Sequence, residues 1–397
     1  MSAVLLPNQT RETAARTRSQ PLPLDPWLTG VLLALLAVGV VMVGSASVTT
    51  AERQTGQPFY FLIRQAVYAA GGLFLARQVL RVRLVYWEKA GGVLLLTALL
   101  LLVLVLVPGL GKSVNGAQRW IGLGIVNLQV SELAKLCVIV YVAGYLVRRG
   151  SEVRSSVWGF LKPMLPIGLI GVLLLLEPDF GATAVLLATV MGMMFLGGVR
   201  LWLFGVLLAL AASALGVLAI TSPYRLQRLT TFLDPWADPF NTGFQLTQAL
   251  IAIGRGEWFG VGLGAGVQKL FYLPEAHTDF LFAVLAEELG LVGSLSVILA
   301  FGFIVWRAFQ IGAVAERSGN RFGGYLAYGI GLWMGLQAFV NIGVNMGILP
   351  TKGLTLPLIS YGGSSMLVTC VAFALLLRVD VELRLMNRSA TMVEGRR

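Results

Sequence analysis

The chain is 397 residues long, 57% hydrophobic and only 12% charged, with a formal net charge of +11. A soluble domain carries roughly 45–50% apolar and about 25% charged residues. The composition therefore excludes an ordinary globular enzyme, a disordered protein and a disulfide scaffold, and fits a polytopic membrane protein. The positive charge invites a nucleic-acid reading, which has to compete with the Lys/Arg bias of cytoplasmic membrane loops.

The N-terminal stretch 1–26 is polar and carries Arg11, Arg16 and Arg18. The apolar run after it, 28–43, ends in Ser45-Ala46-Ser47, which imitates a signal-peptide cleavage site. The polar leader is long for a signal peptide and many apolar runs follow, so this reads as an uncleaved first helix. Runs of about the ~20 residues that a spanning helix needs predict ten helices, near 27–47, 61–80, 89–108, 126–147, 160–176, 181–198, 201–221, 278–306, 323–347 and 358–378. Ten crossings put both termini on one side. With the N-terminus cytoplasmic, cytoplasmic segments hold 20 Lys and Arg, outer segments 9, and Lys135 lies within a span. That bias supports the orientation and accounts for most of the positive charge, so no nucleic-acid partner is needed. The predicted organisation is a cytoplasmic tail (1–26), a ten-helix membrane domain (27–380) and a second cytoplasmic tail (381–397).

One outer connection, 222–277, is far longer than the rest and rich in aromatic residues, which marks it as functional rather than disordered. Within it GFQLTQALIAIG (243–254) has helical apolar spacing, and GVGLGAG (260–266) suggests a closely approached loop. Several soluble-enzyme motifs fail. Gly111-Lys112-Ser113 resembles the end of a phosphate-binding loop, but position 106 is Leu106 where that motif needs glycine. The chain has one histidine, His277, and two cysteines, Cys137 and Cys370, both in apolar runs. No zinc spacing exists.

Charges in or beside spans are costly, about 2.5–3.5 kcal/mol each at the centre of a membrane helix, so they mark candidate sites. Lys112 and Arg119 flank a polar segment outside the third span and could hold phosphates. Glu132 and Lys135 share one face of the next span, as an internal ion pair or a polar cavity wall. Glu275, His277 and Asp279 cluster where the eighth span begins. Thr278 or Asp279 is expected to cap that helix, and an ionised carboxylate there is a candidate general base. Deeper in that span, Glu287 and Glu288 are expected to make interhelical hydrogen bonds. The stretch 349–365 breaks the path into the last span with two prolines, Lys352 and small residues such as Ser360. In Glu177-Pro178-Asp179, Asp179 is expected to cap the sixth span.

These blocks together resemble the SEDS family (FtsW/RodA; shape, elongation, division and sporulation). The resemblance rests on NGAQRWI (115–121), EPDFGA (177–182), DPWADPFNTGFQLTQALIAIGRGEWFGVGLG (234–264), QKLFYLPEAHTDFLFA (268–283) with AEELG (286–290), and LPTKGLTLPLISYGGSS (349–365). It covers residues from about 27 to 380 and looks more like the division branch than the elongation branch. The chain departs from the family pattern at Glu177, where glutamine is frequent, and at Val130, where proline is frequent.

The resemblance implies an all-α polytopic enzyme that polymerises lipid II into glycan strands at the division septum. Asp279 corresponds to the family's essential acidic residue. It would take the proton from the GlcNAc 4-hydroxyl of the acceptor, whose oxygen attacks the anomeric carbon of MurNAc and expels undecaprenyl pyrophosphate with inversion. Lys112, Arg119 and Lys352 would offset the pyrophosphate charge, and Glu132, Lys135, Glu275, His277 and Ser360 complete the candidate substrate-binding set. A divalent cation, magnesium or manganese, could assist, although no ligand cluster demands one. The implied partners are a class B penicillin-binding transpeptidase of the FtsI type and divisome regulators of the FtsQ/FtsL/FtsB type. The implied location is the bacterial cytoplasmic (inner) membrane. Two other readings are a lipid II flippase and a catalytically silent divisome scaffold. A transferase needs its decisive carboxylate at the outer face, whereas a flippase needs polar residues spaced through the membrane.

Overall fold

A computed structural model describes residues 22–114, 117–122, 124, 127–220, 232–241, 243–270, 273–351 and 353–394. Among them are ten long helices, each coinciding with one apolar run of the sequence. They are α1 (Pro26–Thr55), α2 (Tyr60–Val79), α3 (Leu84–Leu106), α4 (Val130–Ser155), α5 (Val157–Leu176), α6 (Phe180–Leu196) and α7 (Leu201–Ile220), then, after a short α8 (Phe244–Arg255), α9 (Leu281–Arg317), α10 (Arg321–Asn345) and α11 (Gly363–Glu394). Six of them, α1, α3, α4, α5, α9 and α10, are long and apolar enough to cross a membrane by length and composition. Helix α3 shows why. It buries Leu95, Ala98, Leu102 and Val105 and exposes Val93, Leu96, Leu100 and Val103, so it is apolar on both faces. A helix of that kind needs an apolar surround.

Helices α4 and α10 are largely buried and form the centre of the bundle. Helix α10 packs against α4, α6, α9 and α11, while α11 lies along α2 and α9 along α1. The connection between α3 and α4 is a three-stranded antiparallel sheet in the order β1 (Gly111–Val114), β2 (Ala117–Gly122), β3 (Asn127–Gln129). Gln129 pairs with Trp120 and Asn127 with Gly122, which keeps 127–129 extended and starts α4 at Val130 rather than at 126. The Ser364 hydroxyl donates to the Asn127 carbonyl at 2.7 Å and accepts the Gln129 N–H at 2.9 Å, tying the sheet to the first turn of α11. Helix α11 runs past residue 378 to Glu394 because its charges pair along it. Arg378 holds Glu382 at 2.9 Å and Arg384 holds Asp380 at 2.6 Å.

Helix α9 is broken at Gly290, whose φ of 66° and ψ of −163° suit a residue without Cβ. The segment 257–262 fills the break. Leu291 N–H donates to the Glu257 carbonyl (2.9 Å) and Val292 N–H to that of Trp258 (3.1 Å). In return Val261 and Gly262 donate to the carbonyls of Glu287 (3.0 Å) and Glu288 (3.1 Å). The predicted closely approached loop is therefore spliced into a helix. Both carboxylates reinforce the splice. Glu287 accepts the N–H groups of Val267 (2.9 Å) and Gln268 (3.2 Å), and Glu288 accepts Gly264 N–H (3.0 Å), the Ser45 hydroxyl (2.7 Å) and Lys269 Nζ (2.6 Å). The expected interhelical contact is thus present through Ser45, but most of the bonding goes to the loop.

Candidate functional site

The turn 273–280 delivers Asp279 to the N-terminal end of α9. Thr278 and Phe280 N–H groups donate to the Glu275 carbonyl at 3.1 and 3.3 Å, and the Thr278 hydroxyl donates to Glu275 Oε2 at 2.8 Å. Glu275 has a φ of 55°, unusual for a residue with Cβ, and lets the turn close this tightly. The expected cap is absent. Neither Thr278 nor Asp279 bonds the first turn of α9, because Asn345 of α10 reaches across and its Oδ1 accepts Ala283 N–H at 3.1 Å. The Asp279 carboxylate is therefore left available, while its main-chain carbonyl accepts two amides, from Asn341 (2.9 Å) and Asn345 (3.0 Å). A Cβ at Gly353 would stand 2.9 Å from Asp279 Oδ2, so the 353–355 segment passes close to the carboxylate.

Burial pushes the Asp279 carboxyl up to about 7. The neighbouring Glu275 and Asp179 add to this and Arg119 opposes it. His277 is pushed down by burial, against the pull of Glu275. Its ring packs on Phe61 (4.6 Å between centroids) and Tyr361 (5.6 Å), and its carbonyl accepts Tyr361 N–H at 3.0 Å. Arg119 arrives from β2. Its Nε donates to the Glu177 carbonyl at 2.9 Å and Nη2 to that of Pro178 at 2.7 Å, which fixes the guanidinium beside the turn that links α5 and α6. Asp179 caps α6 as expected, through Oδ1 and Ala182 N–H at 3.2 Å. The structure thus brings together Asp279, Glu275, His277 and Arg119, with Glu177, Asp179 and Gly353 beside them.

The remaining predicted residues stand apart. Lys112 is exposed on β1 and donates to Asn127 Oδ1 at 3.3 Å. Lys352 lies outside the described residues. Ser360 is buried, and its hydroxyl accepts Leu356 N–H at 3.0 Å, so it shapes the 349–362 loop. Glu132 and Lys135 form a buried pair at 2.9 Å, and Lys135 also donates to Gln337 Oε1 at 2.6 Å and lies 5.1 Å from the centre of the Trp333 ring. Gln337 Nε2 in turn donates to the Thr355 carbonyl at 3.0 Å. The pair therefore supports the loop that carries Gly353 rather than facing Asp279. Sequence reading missed Gln337, Asn341 and Asn345, which hold this loop and the Asp279 turn. The available signal was their spacing of four, which puts three amides on one face of an apolar span. Among the described residues no three His, Cys, Asp or Glu side chains converge as metal ligands.

The chain matches the family described as cell cycle protein (FtsW/RodA/SpoVE) over residues 26–385. A relative from Nitrosococcus halophilus, named "Probable peptidoglycan glycosyltransferase FtsW", is 60% identical over 375 residues, covering 94% of this chain and 96% of its own. A relative of the same name from Thioalkalivibrio sulfidiphilus is 62% identical over 359 residues, 90% of each chain. Among solved structures, a chain from a study of how a peptidoglycan synthase complex coordinates polymerization and crosslinking superposes with a TM-score of 0.76 at 32% identity. That match covers 91% of this chain and 99% of the other. The rod shape determining protein RodA of Thermus thermophilus gives 0.67 at 31% identity, covering 90% and 97%. On sequence and on fold alike, the chain belongs to the FtsW/RodA/SpoVE family of cell cycle proteins.

Proposed function

We propose that the chain is a peptidoglycan glycosyltransferase of the inner membrane that polymerises lipid II at the division septum, with Asp279 as general base. The observation that carries the assignment of the base is the state of that carboxylate. It has no hydrogen bond among the described residues, its main chain is held by two asparagines, and burial brings its pKa to about 7. A base with a pKa near the working pH combines an ionised population with proton affinity. The ionised carboxylate takes the proton of the acceptor 4-hydroxyl as that oxygen bonds to the anomeric carbon. The bond from that carbon to the pyrophosphate oxygen breaks, and its electron pair leaves with the pyrophosphate. Arg119, fixed by two backbone carbonyls, is the described cation beside Asp279 and offsets the charge that develops there.

The flippase reading is weaker on the same grounds. Glu132–Lys135 and Glu288–Lys269 are each closed in an ion pair, of 2.9 and 2.6 Å. We place both termini in the cytoplasm, with 1–26 and 381–397 as tails, and expect a class B transpeptidase and divisome regulators as partners. Purified protein with its transpeptidase, supplied with lipid II, is expected to build glycan strands that Asp279→Asn does not build. Equal glycan synthesis by a folded Asp279→Asn variant would overturn the base, and lipid II transfer across liposomes without polymerisation would favour the flippase.

A further inference from the structure

Among the described residues Glu177 is the one carboxyl with both oxygens buried and without a hydrogen-bond partner. It is 0% exposed and sits between α5 and α6, outside both helices. Its own carbonyl and that of Pro178 are the two acceptors that fix Arg119. The ionisable groups that act on it are Asp179 from its own turn and Arg119 from β2, and the same two act on Asp279. A carboxylate taken from water without donors is expensive, whereas the neutral acid is tolerated. Burial pushes this carboxyl up to about 8, Asp179 adds to the rise, and Arg119 opposes it.

We propose that Glu177 is a positioning residue that works as a neutral acid: uncharged, it leaves the charge of Arg119 to Asp279 and to a phosphate group beside it, and ionised, it takes that charge away. The argument rests on the glycosyltransferase reading, since it needs a phosphate leaving group and a base that Arg119 helps to ionise. The geometry gives the coupling a short path. Arg119 is bound to the backbone of the residue whose side chain would compete for it, so the two cannot separate while the turn is intact.

The test is the pH profile of lipid II polymerisation by the full protein with its transpeptidase partner. In the wild type, the rate rises as Asp279 ionises and falls as Glu177 ionises. The ratio of rates at about pH 9 to about pH 8 should therefore be lower than in Glu177→Gln, whose amide has the shape of the neutral acid and cannot ionise. Glu177 is about half protonated at its midpoint of about 8 and roughly a tenth protonated one pH unit higher, so the wild-type rate should fall about fivefold over that unit and the fall should vanish in Glu177→Gln. An alkaline limb that survives in Glu177→Gln overturns the proposal. If that variant does not fold, infrared spectroscopy of Asp279→Asn decides the point. Raising the pH from about 7 to about 9.5 should remove a protonated carboxylic-acid band, and no change there overturns the proposal. Full polymerisation by Asp279→Asn would defeat the underlying glycosyltransferase-base reading. An inactive Asp279→Asn together with an unaltered limb in Glu177→Gln would defeat this inference alone.

Discussion

Two pairs of acids lie in the breaks and turns of the bundle, and they are used in opposite ways. At the break in α9, Glu287 and Glu288 are fully buried and gather five close donors from the loop 264–269 and from Ser45. In the turns at 177 and 279, Glu177 and Asp279 receive no hydrogen bond to their carboxyl oxygens among the described residues, and both are pushed up, to about 8 and about 7. Glu177 is as fully buried as Glu287 and Glu288, so burial is not what marks the chemistry. Partnership is. A carboxyl supplied with donors holds a loop in place, whereas one deprived of them can exchange a proton near neutral pH.

The contrast can be broken at either end. The largest effect is expected at Asp279. Replacement by Asn keeps the shape and removes the base, so polymerisation should fall by ~10²–10⁴-fold, measured on lipid II with protein shown to be folded. Glu288→Ala should do the reverse. It strands Lys269, whose side chain is only 8% exposed, and should cost about 3–5 kcal/mol of stability. A lowered unfolding temperature in detergent is the readout, and an unchanged one would show that the splice does not depend on the carboxylate. Asn345→Ala lies between these regions. It removes an acceptor from Ala283 N–H and one of two donors to the Asp279 carbonyl, for about 1–3 kcal/mol. Its turnover should fall more than its substrate affinity, because it loosens the base rather than a binding contact. The last effect is a slope. Because its folded pKa is raised, Asp279 contributes stability that is complete below its unfolded value of 3.8 and is lost as pH rises through about 7. Asp279→Asn should therefore be better stabilised relative to wild type at about pH 8 than at about pH 4, checked by unfolding temperature across that range. An equal gap at both ends would refute the raised value.

Much of the bundle was legible in the sequence because long apolar runs have few alternatives in a membrane, and the ten predicted runs each fall on a helix. The Glu132–Lys135 contact followed from helical spacing alone. The Asp279 cluster was legible as chemistry, since charges at the edge of a span are rare. What failed was non-local. The strands between 111 and 129 are only 4, 6 and 3 residues long, too short for alternation to mark them. The missing cap on α9 could not be read because the substitute, Asn345, is 62 residues away from the N–H it bonds. Ser360 looked like a ligand by type and proved to bond the Leu356 N–H of its own loop.

The splice at Gly290 also fixes an order of disassembly. A Cβ there would lie 2.3 Å from the Gly260 nitrogen, so the loop and the helix pass with no room between them. If 257–262 withdrew, Leu291 and Val292 would lose their acceptors and Glu287 and Glu288 would lose donors to their carbonyls. Each such backbone group left open in hydrocarbon costs several kcal/mol. A segment that reads as a surface connection in the sequence is thus among the last parts that can be withdrawn, because removing it unravels the helix that follows the Asp279 turn.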